Sequence, residues 1–170
     1  MHQAARDSFA RDGFLVMDSF LPAERCAMIR DAVDALDRHK KLIQVDRAGR
    51  SSVSRFATIN GTELEESIPL VAGLYAEVRD FVRHVASPEL TLLENRAIGV
   101  SINVTAPGQQ FAMHYDRNAI TAVIYLNAPD AGGEMEFYPR HRIMLPSQGI
   151  PLVKQAQKLL DRGTKSTVWK

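Results

Sequence analysis

The sequence predicts a mainly β protein with flanking helices: a double-stranded β-helix, or jelly roll, with N-terminal helices packed against it. Three observations carry the mainly β part of this expectation and its antiparallel form, a sandwich or barrel. Apolar spacing is helical over residues 1–89 and shifts to a period of two from about residue 90. Short strand-like runs then recur through residues 90–138 between turn signals, the rhythm of antiparallel sandwiches and barrels. The 170 residues, 45% hydrophobic and 24% charged, show no repeat period and no low-complexity segment, as one globular domain does. Residues 1–170 are therefore read as one domain: a helical part over 1–89 and the front of the jelly-roll core over 90–170, left incomplete.

The elements follow in order. Residues 3–11 read as a short helix ended by Asp12-Gly13, a turn with a C-capping glycine. The apolar run 14–17 suits a strand. Pro22 sits where a helix's first turn tolerates proline, because the missing N–H would have lacked a partner anyway. Over 23–38, Cys26, Ile29, Val33 and Leu36 share one face of a helix. Residues 40–66 carry Asn60-Gly61 and a run of Arg, Gly and Ser, and read as mostly loop. Ser67 is placed to cap a helix reaching about residue 86, with Leu70, Leu74, Val78, Phe81 and Val85 inward. Strands are expected at 90–93, 97–104, 110–114, 120–127 and 134–138. A helix over 151–162 closes at Gly163, and residues 166–170 look like the opening of a further strand.

Composition excludes several classes. Lys plus Arg number 21 and Asp plus Glu 20, a net charge of +1, so no global basic field gathers nucleic acid or acidic lipid. No apolar run approaches the roughly 18 residues that span a bilayer. The first ten residues hold Asp7 and lack a secretory apolar stretch. A single cysteine, Cys26, excludes an intrachain disulfide and suits a reducing compartment. The expected location is cytoplasmic. The expected partner is a small-molecule substrate, with neither nucleic acid nor membrane.

Chemistry concentrates in residues 101–140. His114 and Asp116 stand one residue apart at the end of an expected strand, so both point to one side and Tyr115 to the other. An imidazole and a carboxylate converging in this way grip one divalent metal. They supply two of the three ligands of the His-His-carboxylate facial triad of non-haem Fe(II). Pro107-Gly108 precedes the pair, Tyr125-Leu126-Asn127 follows it, and Gly132-Gly133-Glu134 opens the next run.

In that order these motifs resemble the Fe(II)- and 2-oxoglutarate-dependent oxygenases, in their prolyl-hydroxylase-like branch, and the resemblance implies that the antiparallel core is a double-stranded β-helix, the jelly roll. Residues 9–22 are similar to the opening of phytanoyl-CoA-hydroxylase-like members. The resemblance implies that His114 and Asp116 are the first and second iron ligands. It implies that Tyr125 lies where a phenol hydrogen-bonds the distal carboxylate of 2-oxoglutarate, with Thr121 on the same strand beside it. The implied activity oxidises a small organic substrate while 2-oxoglutarate becomes succinate and CO2. A carboxylate at position 116 implies hydroxylation, desaturation or ring closure rather than halogenation.

The sequence also departs from the family. Ala106 stands where an aromatic residue is usual before the Pro-Gly turn. The family's distal histidine and the basic residue after it do not appear; His141 follows too soon and reads as a loop histidine, as do His2, His39 and His84. The expectation is that the polypeptide continues past Lys170 and carries both there. Two alternatives stay open: a metal-free jelly-roll binding module, and a cupin-type metalloenzyme that uses no 2-oxoglutarate. Arg47, Arg50 and Arg55, among Ser51, Ser52 and Ser54, read as a solvated loop, with contact to an anionic substrate as the alternative. Cys26 reads as packing. No phosphate-cradling glycine loop and no nucleophile elbow occurs.

Overall fold

The computed structural model of the chain describes residues 2–39, 41–48, 53–116, 118–128, 130–139, 145 and 150–168. The elements are α1 (His2–Asp12), α2 (Ala23–Arg38), β1 (Ile43–Ala48), β2 (Val53–Asn60), α3 (Gly61–Ser67), α4 (Pro69–Val85), α5 (Arg96–Gly99), β3 (Ser101–Val104) and α6 (Pro151–Val168).

The sheet has the antiparallel order β1-β2-β3. β1 pairs with β2 from Ile43↔Thr58 to Ala48↔Val53, and β3 with β2 from Ala57↔Val104 to Asn60↔Ser101. Along β2 the side chains alternate. Ala57 and Ile59 are buried, while Thr58 turns its hydroxyl to donate to the Ile102 carbonyl at 3.1 Å. Asn60 then ends the strand and caps α3, its Oδ1 accepting from the Glu63 N–H at 3.2 Å.

Three helices cover the buried face. α2 contributes Ile29 and Val33, α3 contributes Leu64, and α4 contributes Val71 and Leu74, with Leu21, Leu42 and Ile68 between them. Ile29, Ile59 and Leu64 are the largest fully buried side chains. A bidentate ion pair clasps α2 to α4: Arg25 Nη1 and Nη2 donate to the Glu77 carboxylate at 2.6 and 2.7 Å. The guanidinium's hydrogen bonds hold the Glu77 carboxyl below its ordinary value. α1 docks on α4, where Arg6 donates to the His84 carbonyl through Nε and Nη2 at 3.1 and 2.7 Å.

The jelly-roll expectation is overturned. A three-stranded open sheet with helices takes its place, and no closed double-stranded β-helix forms among the described residues. A period-two pattern selects extended chain, but a sheet needs a second edge to bond. Residues 120–127 and 134–138 form no strand and have no ladder partners among the described residues. They still alternate: Ile124 and Leu126 pack against the core, while Val123 and Tyr125 stay 55% and 54% exposed.

Other expectations change with it. Residues 14–17 and 90–93 form no strand, and the expected strand over 97–104 begins as the single turn α5, which Asn95 caps by accepting from the Ala97 N–H at 3.2 Å. The expected loop over 40–66 is instead the β1–β2 hairpin followed by α3. Ser67 closes α3 rather than capping α4, which starts at Pro69 behind Ile68. α6 runs through Gly163 to Val168, so no strand opens at 166–168. His141, Arg50, Ser51 and Ser52 lie outside the described residues.

Candidate functional site

The platform for the site is β2. After β3 the chain leaves the sheet in a turn, with Gly108 at φ 78° and the Gln109 N–H donating to the Ala106 carbonyl at 2.9 Å. It returns at Gln110, which bridges Arg55 by two backbone hydrogen bonds of 2.8 and 3.2 Å. Phe111 then stacks on Phe56 of β2, with ring centroids 4.0 Å apart and an interplanar angle of 21°. The Ala112 N–H donates to Ser54 Oγ at 3.0 Å. Three successive residues are thus tied to β2 immediately before His114.

His114 Nε2 lies 3.2 Å from Asp116 Oδ1. Positions 114 and 116 share the exposed side, while Tyr115 between them is half-buried. The contact is open to solvent, with the two side chains 61% and 46% exposed, and not enclosed in a β-core. The second imidazole nitrogen is also engaged: Nδ1 lies 2.9 Å from the Ala112 carbonyl. A carbonyl only accepts, so Nδ1 carries the proton. In the neutral ring Nε2 then presents its lone pair toward Asp116. Two electron-rich atoms at that separation need a proton or a cation between them.

Cis ligands each about 2.1 Å from one ion stand roughly 3 Å apart, so the pair fits two adjacent positions on a small divalent metal such as Fe(II). The backbone carbonyl on Nδ1 is the partner that metal-ligating histidines ordinarily have. Among the described residues no third His, Cys, Asp or Glu completes a three-ligand group with this pair. His2 and His84 face each other across α1 and α4, ring centroids 5.5 Å apart, and His39 caps the end of α2.

Tyr125 is held elsewhere. Its hydroxyl donates to the Gly133 carbonyl at 3.4 Å, across a groove of about 370 Å³. Asn127, Gly132, Glu134, Met135 and Phe137 line the same groove; His114, Asp116 and Thr121 do not. Thr121, four residues before Tyr125, is exposed. Gly132 and Gly133 adopt φ of 74° and 80°, the left-handed bend that joins the groove's two walls. Leu126, between Tyr125 and Asn127, is tied to α2 by its carbonyl, which accepts from Arg30 Nη1 at 3.2 Å.

Sequence reasoning singled out His114 and Asp116 as an expected metal pair but missed the residues that hold their backbone, Ser54, Phe56, Phe111 and Ala112. The signal was faint: two phenylalanines whose meeting depends on register. It also gave Gly132 and Gly133 a turn role without finding the groove that they shape. Comparison of the chain with protein-family models, with curated proteins and with solved structures yields no match.

Proposed function

We propose that this chain carries a two-ligand arm of a non-haem iron site and works as an oxygenase, with 2-oxoglutarate as co-substrate and a small organic molecule as substrate. The observation that supports the reading is the His114–Asp116 contact, 3.2 Å, with Nδ1 turned onto the Ala112 carbonyl. His114 and Asp116 would hold the ion, and bound iron would supply activation of O2 for oxidation of the substrate. The chain's own contribution is positional. The Gln110 bridge, the Phe111 stack and the Ser54 hydrogen bond fix the backbone, and the Ala112 carbonyl fixes the imidazole's tautomer and orientation. The 2-oxoglutarate roles of Tyr125 and Thr121 rest on the motif resemblance alone, because no Lys, Arg or His among the described residues lines the groove around Tyr125.

The competing reading is a solvent-exposed imidazolium–carboxylate pair closed by a proton, of little energetic worth. Anaerobic titration with Fe(II) separates the two. Saturable binding is expected, at least about tenfold weaker in His114→Ala and in Asp116→Ala, since losing even a ligand's outer partner costs that much. Equal binding by all three proteins leaves only the ion pair. Succinate release from 2-oxoglutarate, dependent on both residues, is the further readout that ties the metal to this co-substrate.

A further inference from the structure

The groove around Tyr125 has one chemical character. Tyr125, Glu134, Met135 and Phe137 line it, two aromatic residues, a thioether and a carboxylate residue, with no Lys, Arg or His among the described lining residues. Phe14 stacks behind Phe137, centroids 6.1 Å apart and planes within 10°, which holds that ring in place. At about 370 Å³ the space suits a small molecule. Aromatic faces carry negative quadrupoles, sulfur is polarizable, and the carboxylate adds a full negative charge. Each of these surfaces attracts an organic cation, and together they disfavour an anion.

We propose that this groove, built on Tyr125, Glu134, Met135 and Phe137, binds small organic cations of the alkylammonium class. Alkyl groups on the cation would lie against the two rings and the thioether, and the charge would face Glu134. The proposal does not depend on iron, since His114 and Asp116 line no part of the groove.

Calorimetric and NMR titrations of the metal-free full chain with choline test it, with 3,3-dimethylbutan-1-ol as the neutral isostere and 2-oxoglutarate as the anionic comparison. Choline is expected to bind about tenfold more tightly than the neutral isostere, the scale of a partly exposed cation–π and ion-pair site. Glu134→Gln, nearly isosteric and at an exposed position, is expected to weaken choline about fivefold, and Phe137→Leu by a similar factor. Equal affinity for choline and its neutral isostere overturns the proposal, as does choline binding unchanged in both variants. Preferential binding of 2-oxoglutarate also overturns it, and restores to Tyr125 the carboxylate role that its motif implies. Failure here leaves the Fe(II) titration of His114 and Asp116 unaffected, and the reverse holds equally.

Discussion

Two regions of this molecule share one alternating pattern and use it differently. On β2, Ala57 and Ile59 point inward and strands bond both edges. Over residues 123–126, Ile124 and Leu126 also pack on the core, yet no ladder forms among the described residues, and Val123 and Tyr125 stay more than half exposed. The difference teaches that alternation fixes which side chains face the core, while hydrogen-bonded neighbours decide whether a sheet exists. β2 has both; residues 120–127 have only the first, helped by one side-chain bond from Arg30.

Amide hydrogen exchange reads this difference at its largest. The amides of Ala57 and Ile59 are expected to exchange roughly a thousandfold more slowly than those of residues 120–127, because opening them approaches global unfolding. Comparable protection in both regions would break the comparison and show that the second segment has acquired a bonded neighbour.

Truncation sharpens it next. Ile59→Ala removes a side chain with no exposure and is expected to cost about 2–5 kcal/mol in urea denaturation. Val123→Ala, at 55% exposure, is expected to stay within about 0.5 kcal/mol. Costs of similar size at the two positions would mean that residue 123 is buried in solution.

Phe111 lies between the two regions in sequence and stacks on Phe56 of β2, and its loss is expected to be intermediate. Phe111→Ala forfeits the stack on Phe56, worth about 0.5–1.5 kcal/mol beyond burial. The same variant should weaken Fe(II) binding although residue 111 is no ligand, which a Phe111→Leu control partly restores. Full retention of metal affinity in Phe111→Ala would show that the ligands hold their geometry without β2.

The smallest effect belongs to the clasp between α2 and α4. Arg25 depresses the Glu77 carboxyl, so its stabilisation is present above the ordinary carboxylate value and is lost as pH falls through the lower folded value. Melting temperatures of the parent protein and Glu77→Gln should differ slightly at neutral pH and converge in acid. A gap that widens on acidification would reverse the sign and discount the ion pair.

These contrasts explain what was legible in the sequence. α1 and α2 are stated by turn residues and by apolar spacings of three and four, which are local. The hairpin was misread because charged residues in β1 and the Arg-Gly-Ser run beside it look like loop, although Ala57 and Ile59 already alternate. The jelly roll failed for the opposite reason, since partners for each extended run were assumed from rhythm alone. The His114–Asp116 spacing is a two-residue fact, whereas the Ala112 carbonyl on Nδ1 and the Phe56–Phe111 stack depend on which strand lies alongside.

The turn over residues 105–109 follows Val104 of β3, which pairs with Ala57 of β2, and returns to β2 at Gln110, which bridges Arg55. Both ends of this detour are anchored to the same strand, so it behaves as a slack length in an otherwise taut line. Doubling the length of such a loop adds only about 0.6 kcal/mol of closure entropy. Residues added beside Gly108 therefore lengthen the arc without transmitting displacement to Phe111 or His114. The same slack makes the detour a place where a lineage can vary the surroundings of the histidine–aspartate pair while the pair itself stays in register.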